Sequence, residues 1–457
     1  MDEIQLKPAI KISITVLMTT LIFSIGGFTP RTAFTSFITQ YLAVFLVFIL
    51  VMKSEFSLKH IISLGILSRL ILIFFTPELS NDFYRFIWDG ELLLQGINPY
   101  DFKPNELISY GQFLSNDYFL SLYHGMGELS QSNYSCYPVL NQFIFAASTI
   151  FSDNVLVNTA VMKCIIILAD IGTLWISIKI LKLLNLPVKK IGWYFLNPLI
   201  ILEFSGNLHF EGVMIFFLMC FAHFTIKNNW LMAGIFLGFA VQIKLIPLMF
   251  IPFVYKHLKW KGTIGFTAVT LLIVLLLSQL LLGSNNIDNF MASLQLYFDK
   301  FQFNASLFNW ANAVHSEKIG WDTTAIVGPI LSKISLLLII LLVLLKSFRK
   351  PTDLFIGLIF CLTIYYLFAT TIHPWYISLI LIFSIFTNYT FGILWTAIIT
   401  ASYLAYADPN FTENKVLNSI LYIVLFGFIL FEIFKHWRKD TVGIQLNEFF
   451  SIKTKNH

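Results

Sequence analysis

The sequence predicts an all-α protein, a polytopic bundle of transmembrane helices built as a single integral membrane domain over residues 1–457. Three observations predict it. The chain is 57% hydrophobic and 12% charged, about half the charge of a soluble domain, and its mean hydropathy is +0.77. The excess of Phe, Leu and Ile recurs in blocks from Lys11 to Lys435. Those blocks are continuous and helix-length, without the period-two alternation that a membrane barrel requires.

A span needs about 20 apolar residues. The chain offers about 13 candidates, at 10–28, 36–52, 60–76, 157–178, 191–205, 210–226, 230–246, 262–283, 325–347, 353–371, 374–389, 391–407 and 415–434. Basic clusters mark cytoplasmic ends: Lys53 and Lys59; Lys179, Lys182, Lys189 and Lys190; Lys256, Lys259 and Lys261; Lys346, Arg349 and Lys350; Lys435, Arg438 and Lys439. With the N-terminus inside they agree, provided two segments are special. "YPVLNQFIFAASTIF", Tyr137 to Phe151, is short for a span and reads as an amphipathic helix on the outer surface. "LIPLMFIPFVY" carries Pro247 and Pro252 and reads as a broken or tilted helix.

The net charge of +5 is spread over helix ends, so no nucleic-acid partner is expected. No small-residue cleavage site follows the first apolar run, so no signal peptide is expected. Cys164, Cys220 and Cys361 lie inside apolar spans and Cys136 in a loop, which is neither a disulfide framework nor a metal-ligand spacing. Two outer loops are long, 77–152 with interfacial helices and 284–325. Within residues 77–135, eight acids face only Arg85 and Lys103.

That loop opens with "SNDFYRFIWDGELLLQGINPY", Ser80 to Tyr100. Asn81 suits an N-cap and Gly96 a helix end. Asp82, Arg85 and Asp89 share one helical face, while Phe83, Ile87 and Leu94 can dip into lipid. The expected result is a helix at the outer interface with a carboxylate, stabilised by the helix N-terminus, displayed at its start. Asp170 sits mid-span and reads as a hydrogen bond to a neighbouring helix.

"DFYRFIWDGELLLQGINPY" resembles the first outer-loop signature of lipid-linked-sugar glycosyltransferases of the GT-C class, closest to a bacterial polyprenol-phosphate-mannose-dependent mannosyltransferase-like group. "NPLIILEFSGNLHFEG", "GFAVQIKLIPLMFIP" and "HPWY" resemble further elements of that group, in order along the chain. Glu211 stands where related sequences usually carry Asp. The resemblance implies a GT-C-type bundle in the bacterial inner membrane with its active site facing the periplasm. It implies a polyprenyl-phosphate sugar donor, mannose first among hexoses, a glycan or lipid-linked acceptor, and inversion at the anomeric carbon.

A phosphate ester leaves without a general acid, so one base suffices, unlike the paired carboxylates of glycoside hydrolysis. Asp82 fits that role. Arg85, Lys244 and His373 are the candidates for the donor phosphate. Lys244 reads alternatively as snorkelling to the interface, and His373 as a hydrogen-bonded structural histidine. Asp89, Trp88, Glu203, Asn207, His209, Glu211, Trp375 and Tyr376 are the candidates for sugar or acceptor contact. Trp88 and Trp375 read alternatively as interface anchors. Asn207, His209 and Glu211 read alternatively as a divalent-cation site or as helix caps, and no metal set is assigned. A transporter or flippase of lipid-linked sugars is the alternative function, but its internal repeats are not evident, and the polar residues gather at one face. A ligase or polymerase moving whole glycans is the third reading.

Overall fold

The computed structural model describes residues 4–299, 301–346 and 350–453, so Arg349 lies outside the described residues, as do the side chains of Lys256, Arg438 and Lys439. The first part of the chain forms α1 (Pro8–Phe28), α2 (Phe34–Lys53) and α3 (Leu58–Leu70). The first long connection, between α3 and α9, holds α4 (Asp82–Leu94), α5 (Pro104–Leu107), α6 (Gly111–Leu114), α7 (Asp117–Gln131) and α8 (Val139–Thr149). Next come α9 (Val155–Leu183), the short α10 (Gly192–Phe195) and α11 (Pro198–Ile200), then α12 (Glu211–Ile226), α13 (Trp230–Val241) and α14 (Ile251–Ser278). The second long connection, between α14 and α17, holds α15 (Ile287–Asp299) and α16 (Leu307–Ile319). The chain closes with α17 (Thr324–Leu345), α18 (Thr352–Phe368), α19 (Ile377–Ser384), α20 (Phe391–Ile398) and α21 (Lys415–Lys453). Among the described residues β-structure is limited to two isolated bridges, Ile4 to Ser54 and Phe303 to Thr371.

The all-α membrane class therefore holds, but the regular spans are fewer than the expected 13. Among the described residues six helices are long and apolar enough to cross a bilayer, or seven if the pair Pro198–Gly206 and Glu211–Ile226, bent by 116°, counts as one broken span. The remaining predicted spans are realised as shorter apolar helices such as Trp230–Val241 and Thr352–Phe368. Proline and short polar interruptions break the apolar runs into pieces that pack on one another.

Polar locks fasten the interior. Asp170 on α9 meets Arg69 of α3 at 2.7 Å and accepts from the Tyr194 hydroxyl of α10 at 2.8 Å, as the mid-span reading required. Both charged side chains are wholly buried, so each compensates the other's desolvation. Lys163 of α9 donates to the carbonyls of Leu72 at 2.7 Å and Phe75 at 2.6 Å, fastening the 3-10 turn that follows α3.

The helix after the first apolar run departs from expectation. α4 does not lie at a lipid interface: Phe83, Ile87, Trp88 and Asp89 are buried in protein, and only Leu94 is exposed. It is clasped by α7 and α8. Gly90 makes this approach possible, because a Cβ there would sit 2.5 Å from the Phe145 carbonyl oxygen. α8, expected on the outer surface, likewise buries Val139, Asn141, Gln142 and Phe145. Asn81 precedes α4 without capping it; its Oδ1 accepts from Arg31 Nη1 at 3.1 Å and its Nδ2 donates to the Gly125 carbonyl at 3.1 Å. Gly96, at φ +76°, ends the turn after α4 as expected.

Candidate active site

Three interruptions of helical order converge. The first is the entry to α4, which puts Asp82 at a helix N-terminus. The second is the bend before α12, where a π-turn over Ile201–Gly206 gives way to Leu208 at φ +64°. A bulky residue in that conformation stores strain, and such strain commonly marks a functional bend. The third is the break between α13 and the 3-10 turn Ile246–Phe250, where Pro247 cannot continue the ladder and Lys244 emerges. The broken helix expected at "LIPLMFIPFVY" is thus present, and Lys244 lies in the gap.

Asp82, His209, Glu211, Lys244, His373, Trp375 and Tyr376 line one cavity of about 260 Å³. No hydrogen bond or ion pair within the described residues engages the Asp82 carboxylate; only its backbone N–H is held, by Ser80 Oγ at 3.3 Å. Lys244 Nζ is paired with Glu211 and stands 4.0 Å above the Tyr376 ring. The half-buried ammonium thus has an anion and an aromatic face within the protein.

His373 lies in the loop between α18 and the turn Pro374–Tyr376, and its Nδ1 is buried with no hydrogen-bond partner. Burial, then the nearby Lys244 ammonium and His209, hold it well below the ordinary histidine range. A neutral imidazole offers hydrogen bonds rather than a second cation. It belongs to a column of near-parallel rings. His209 and Trp375 stack at 3.5 Å, Trp375 and His373 at 4.4 Å, and His373 and Phe303 at 4.9 Å. The segment carrying Phe303 is fixed by its bridge to Thr371, with Ile372 N–H donating to the Phe303 carbonyl at 2.8 Å.

Five sequence candidates lie elsewhere. Arg85 is not at the cavity: its Nε binds Asp89 Oδ1 at 2.7 Å, and its Nη1 donates to the carbonyls of Ser130 and Asn133. Asp89 is fully buried away from the cavity and also accepts from Ser135 Oγ at 2.6 Å and Gln142 Nε2 at 3.2 Å. Trp88 is wholly buried, packed against Phe113 and Phe119. Glu203 and Asn207 stand behind the wall. Glu203 accepts from the Tyr403 hydroxyl at 2.8 Å and lies 3.3 Å from His209 Nε2, too poorly aligned for a hydrogen bond. Asn207 Oδ1 accepts from the Leu79 N–H at 3.3 Å, tying the bend to the approach to Asp82.

The sequence reading missed Tyr137, Asn141 and Tyr365, which also line the cavity. Asn141 Nδ2 donates to the Ile243 carbonyl at 2.6 Å and so fixes the break that presents Lys244. Its signal was a polar residue within an apolar run. Among the described residues no three His, Cys, Asp or Glu side chains are grouped as metal ligands. An apolar groove of about 390 Å³, walled by residues such as Met249, Pro252, Ile339 and Phe368, shares Ser332, Tyr365 and Ala369 with the cavity.

The cavity thus joins a bare carboxylate, an ammonium, hydrogen-bonding rings and an apolar annex. No curated protein and no solved structure matches the chain significantly. A family model, that of the MptA_B family, described as alpha-(1->6)-mannopyranosyltransferase, N-terminal domain, matches residues 15–259, more than half of the 457. The chain belongs to this family of mannosyl-transferring glycosyltransferases, and it is a membrane enzyme.

Proposed function

We propose that the protein transfers mannose from a polyprenyl-phosphate mannose to a hydroxyl of a glycan or lipid-linked acceptor, at the extracytoplasmic face, with Asp82 as the base. The observation that carries this is the unengaged Asp82 carboxylate in the same cavity as Lys244 and His373. Asp82 takes the acceptor hydroxyl proton as that oxygen bonds to the anomeric carbon. The bond from that carbon to the phosphate oxygen breaks, and the prenyl phosphate leaves with the electron pair. One displacement inverts the carbon, so an α-linked product, which the family's name describes, calls for a β-configured donor. Lys244 and His373 receive the departing phosphate by charge and by hydrogen bond. The adjoining apolar groove suits the prenyl tail.

The side assignment rests on charge. Lys189 Nζ donates to the Ser54 carbonyl at 2.9 Å and Lys190 Nζ to the Thr387 carbonyl at 2.6 Å, so several basic helix ends gather together. Thr387 follows the far end of α19, whose other end adjoins Trp375 and Tyr376 of the cavity. Basic ends face the cytoplasm, which sends the cavity outward. Two carboxylates, Asp82 and Glu211, face one ammonium in the lining, and a phosphate adds more negative charge. Donor binding is therefore expected to tighten with a divalent cation or with a proton on His373. A chelator and a pH series on donor KM separate the two, since the proton predicts tighter binding as pH falls.

The test is mannosyl transfer in proteoliposomes from radiolabelled polyprenyl-phosphate mannose. Wild-type transfer with loss in Asp82→Asn, the variant remaining folded, is the expected result. Efficient use of GDP-mannose instead overturns the donor assignment, and substantial transfer by Asp82→Asn overturns the base.

A further inference from the structure

On the reading that Lys244 receives the donor phosphate, transfer leaves a release problem. Donor and prenyl-phosphate product share one tail and one phosphate, so the groove and the ammonium that hold the first also hold the second; only the sugar has gone. Their charges differ. The donor is a phosphate diester with a single negative charge, whereas the product is a monoester that carries about −1.5 to −2 at neutral pH. The change balances within the reaction: Asp82 takes the acceptor proton and loses its charge, and the leaving phosphate gains one.

Glu211 is placed to act on that difference. It is the first residue of α12, where a helix N-terminus favours an ionised carboxylate. Among the described residues Lys244 is its one ion-pair partner. The Lys244 side chain is 32% exposed and that of Glu211 only 6%, so the ammonium stands toward open space with the carboxylate behind it. The Tyr376 ring, 4.0 Å from Nζ, covers another side of the ammonium without adding charge. The described cavity lining supplies no second lysine or arginine. A phosphate arriving there meets a cation whose charge is already answered, with a fixed negative charge just beyond it.

We propose that Glu211 is the release residue of this site: it weakens the hold of Lys244 on phosphate, so that prenyl phosphate leaves after transfer. Repulsion grows with the charge brought in, so Glu211 penalises the product more than the donor. It acts through Lys244 and sets affinity, not the chemical step. A carboxylate that merely kept Lys244 in place would give the opposite sign, because its removal would loosen the ammonium and weaken phosphate binding.

The experiment uses the full chain in nanodiscs at neutral pH and low salt, with a chelator present. Radiolabelled farnesyl phosphate is the product probe, farnesol its uncharged control, and polyprenyl-phosphate mannose the donor. In Glu211→Gln, farnesyl phosphate is expected to bind about 100-fold more tightly and donor KM to fall about tenfold, since each added negative charge escapes the same repulsion. Transfer by this variant should show a burst of one turnover and then a slow steady state, because product release becomes limiting. Glu211→Asp keeps the charge but draws it back from Lys244 by one methylene, and is expected to tighten farnesyl phosphate binding severalfold; it decides the matter if Glu211→Gln does not fold. Unchanged or weaker binding of farnesyl phosphate in the deciding variant overturns the proposal and makes Glu211 a plain counter-ion. If neither wild type nor variant prefers farnesyl phosphate to farnesol, the seat of the phosphate at Lys244 falls instead.

Discussion

Asp82 and Asp89 lie on one face of the same helix, two turns apart, and they live in opposite worlds. Around Asp89, Arg85, Ser135 and Gln142 fill the acceptor sites of a wholly buried carboxylate. At Asp82 the carboxylate faces a cavity and holds no partner within the described residues. The lesson is that the chemistry of a side chain does not assign its role. Saturating a buried charge with partners makes it a fastener, whereas leaving one bare at a cavity keeps it available for a substrate proton.

The sharpest way to break this comparison is to neutralise each carboxylate in turn. Asp82→Asn is expected to lower the transfer rate by about 10²–10⁴-fold, with thermal unfolding in detergent unchanged. Asp89→Asn should do the reverse. It leaves the buried Arg85 guanidinium uncompensated and costs about 3–5 kcal/mol of stability, read as a lowered melting temperature, while the folded fraction still transfers mannose. Should Asp89→Asn fold normally and abolish transfer, the division between the two ends of α4 is wrong.

Lys244→Gln is the next largest. It keeps a hydrogen bond to Glu211 but removes the charge offered to phosphate, so donor KM should rise by about 10–100-fold, the worth of a charge-assisted hydrogen bond. Acceptor KM serves as the internal control, and a parallel rise in both would assign Lys244 to holding the cavity's shape.

The smallest effect concerns the far end of α4. Glu91 accepts from the Tyr118 hydroxyl of α7 at 3.2 Å, and that oxygen in turn accepts from Asn158 of α9 at 2.7 Å. Burial is the main cause that lifts the Glu91 carboxyl from 4.5 to about 7, with the Tyr118 bond opposing it and Asp153 adding to it. The folded chain therefore holds a proton that the unfolded chain releases between those two values. Stability from this group is full below pH 4.5 and is lost as pH rises through about 7. The shift alone corresponds to about 3 kcal/mol, and because the carboxyl is partly solvated, screening reduces the expected loss to about 1–2 kcal/mol. Thermal unfolding from pH 4.5 to 8 reads it, and Glu91→Gln should flatten the curve; an unchanged slope removes Glu91 as its source.

Much of the site could be read from the chain. The grouping of Asp82, Glu211, Lys244 and His373 was visible because charge in an apolar sequence is conspicuous, and a resemblance ordered the motifs. The same signal misled at Arg85, Asp89 and Trp88. One helical face looked like a displayed surface because sequence spacing does not reveal which neighbour packs against it. Asn141 and Tyr365 were overlooked for the converse reason: an uncharged amide or phenol within an apolar run stands out less than a charge, and its polarity does not say which backbone break or cavity it will meet.

What the sequence determined by itself is the solvent. Apolar runs too long and too poor in charge for water commit the backbone to helices in lipid, because an unpaired peptide group there is too costly. Where those helices break, at Gly206–Leu208 and around Pro247, was also written locally. Only the tertiary structure decided which charges were answered from within. Ion pairing depends on distances of a few ångströms between residues far apart in the chain, such as Arg69 with Asp170 or Lys244 with Glu211, and no local pattern encodes them.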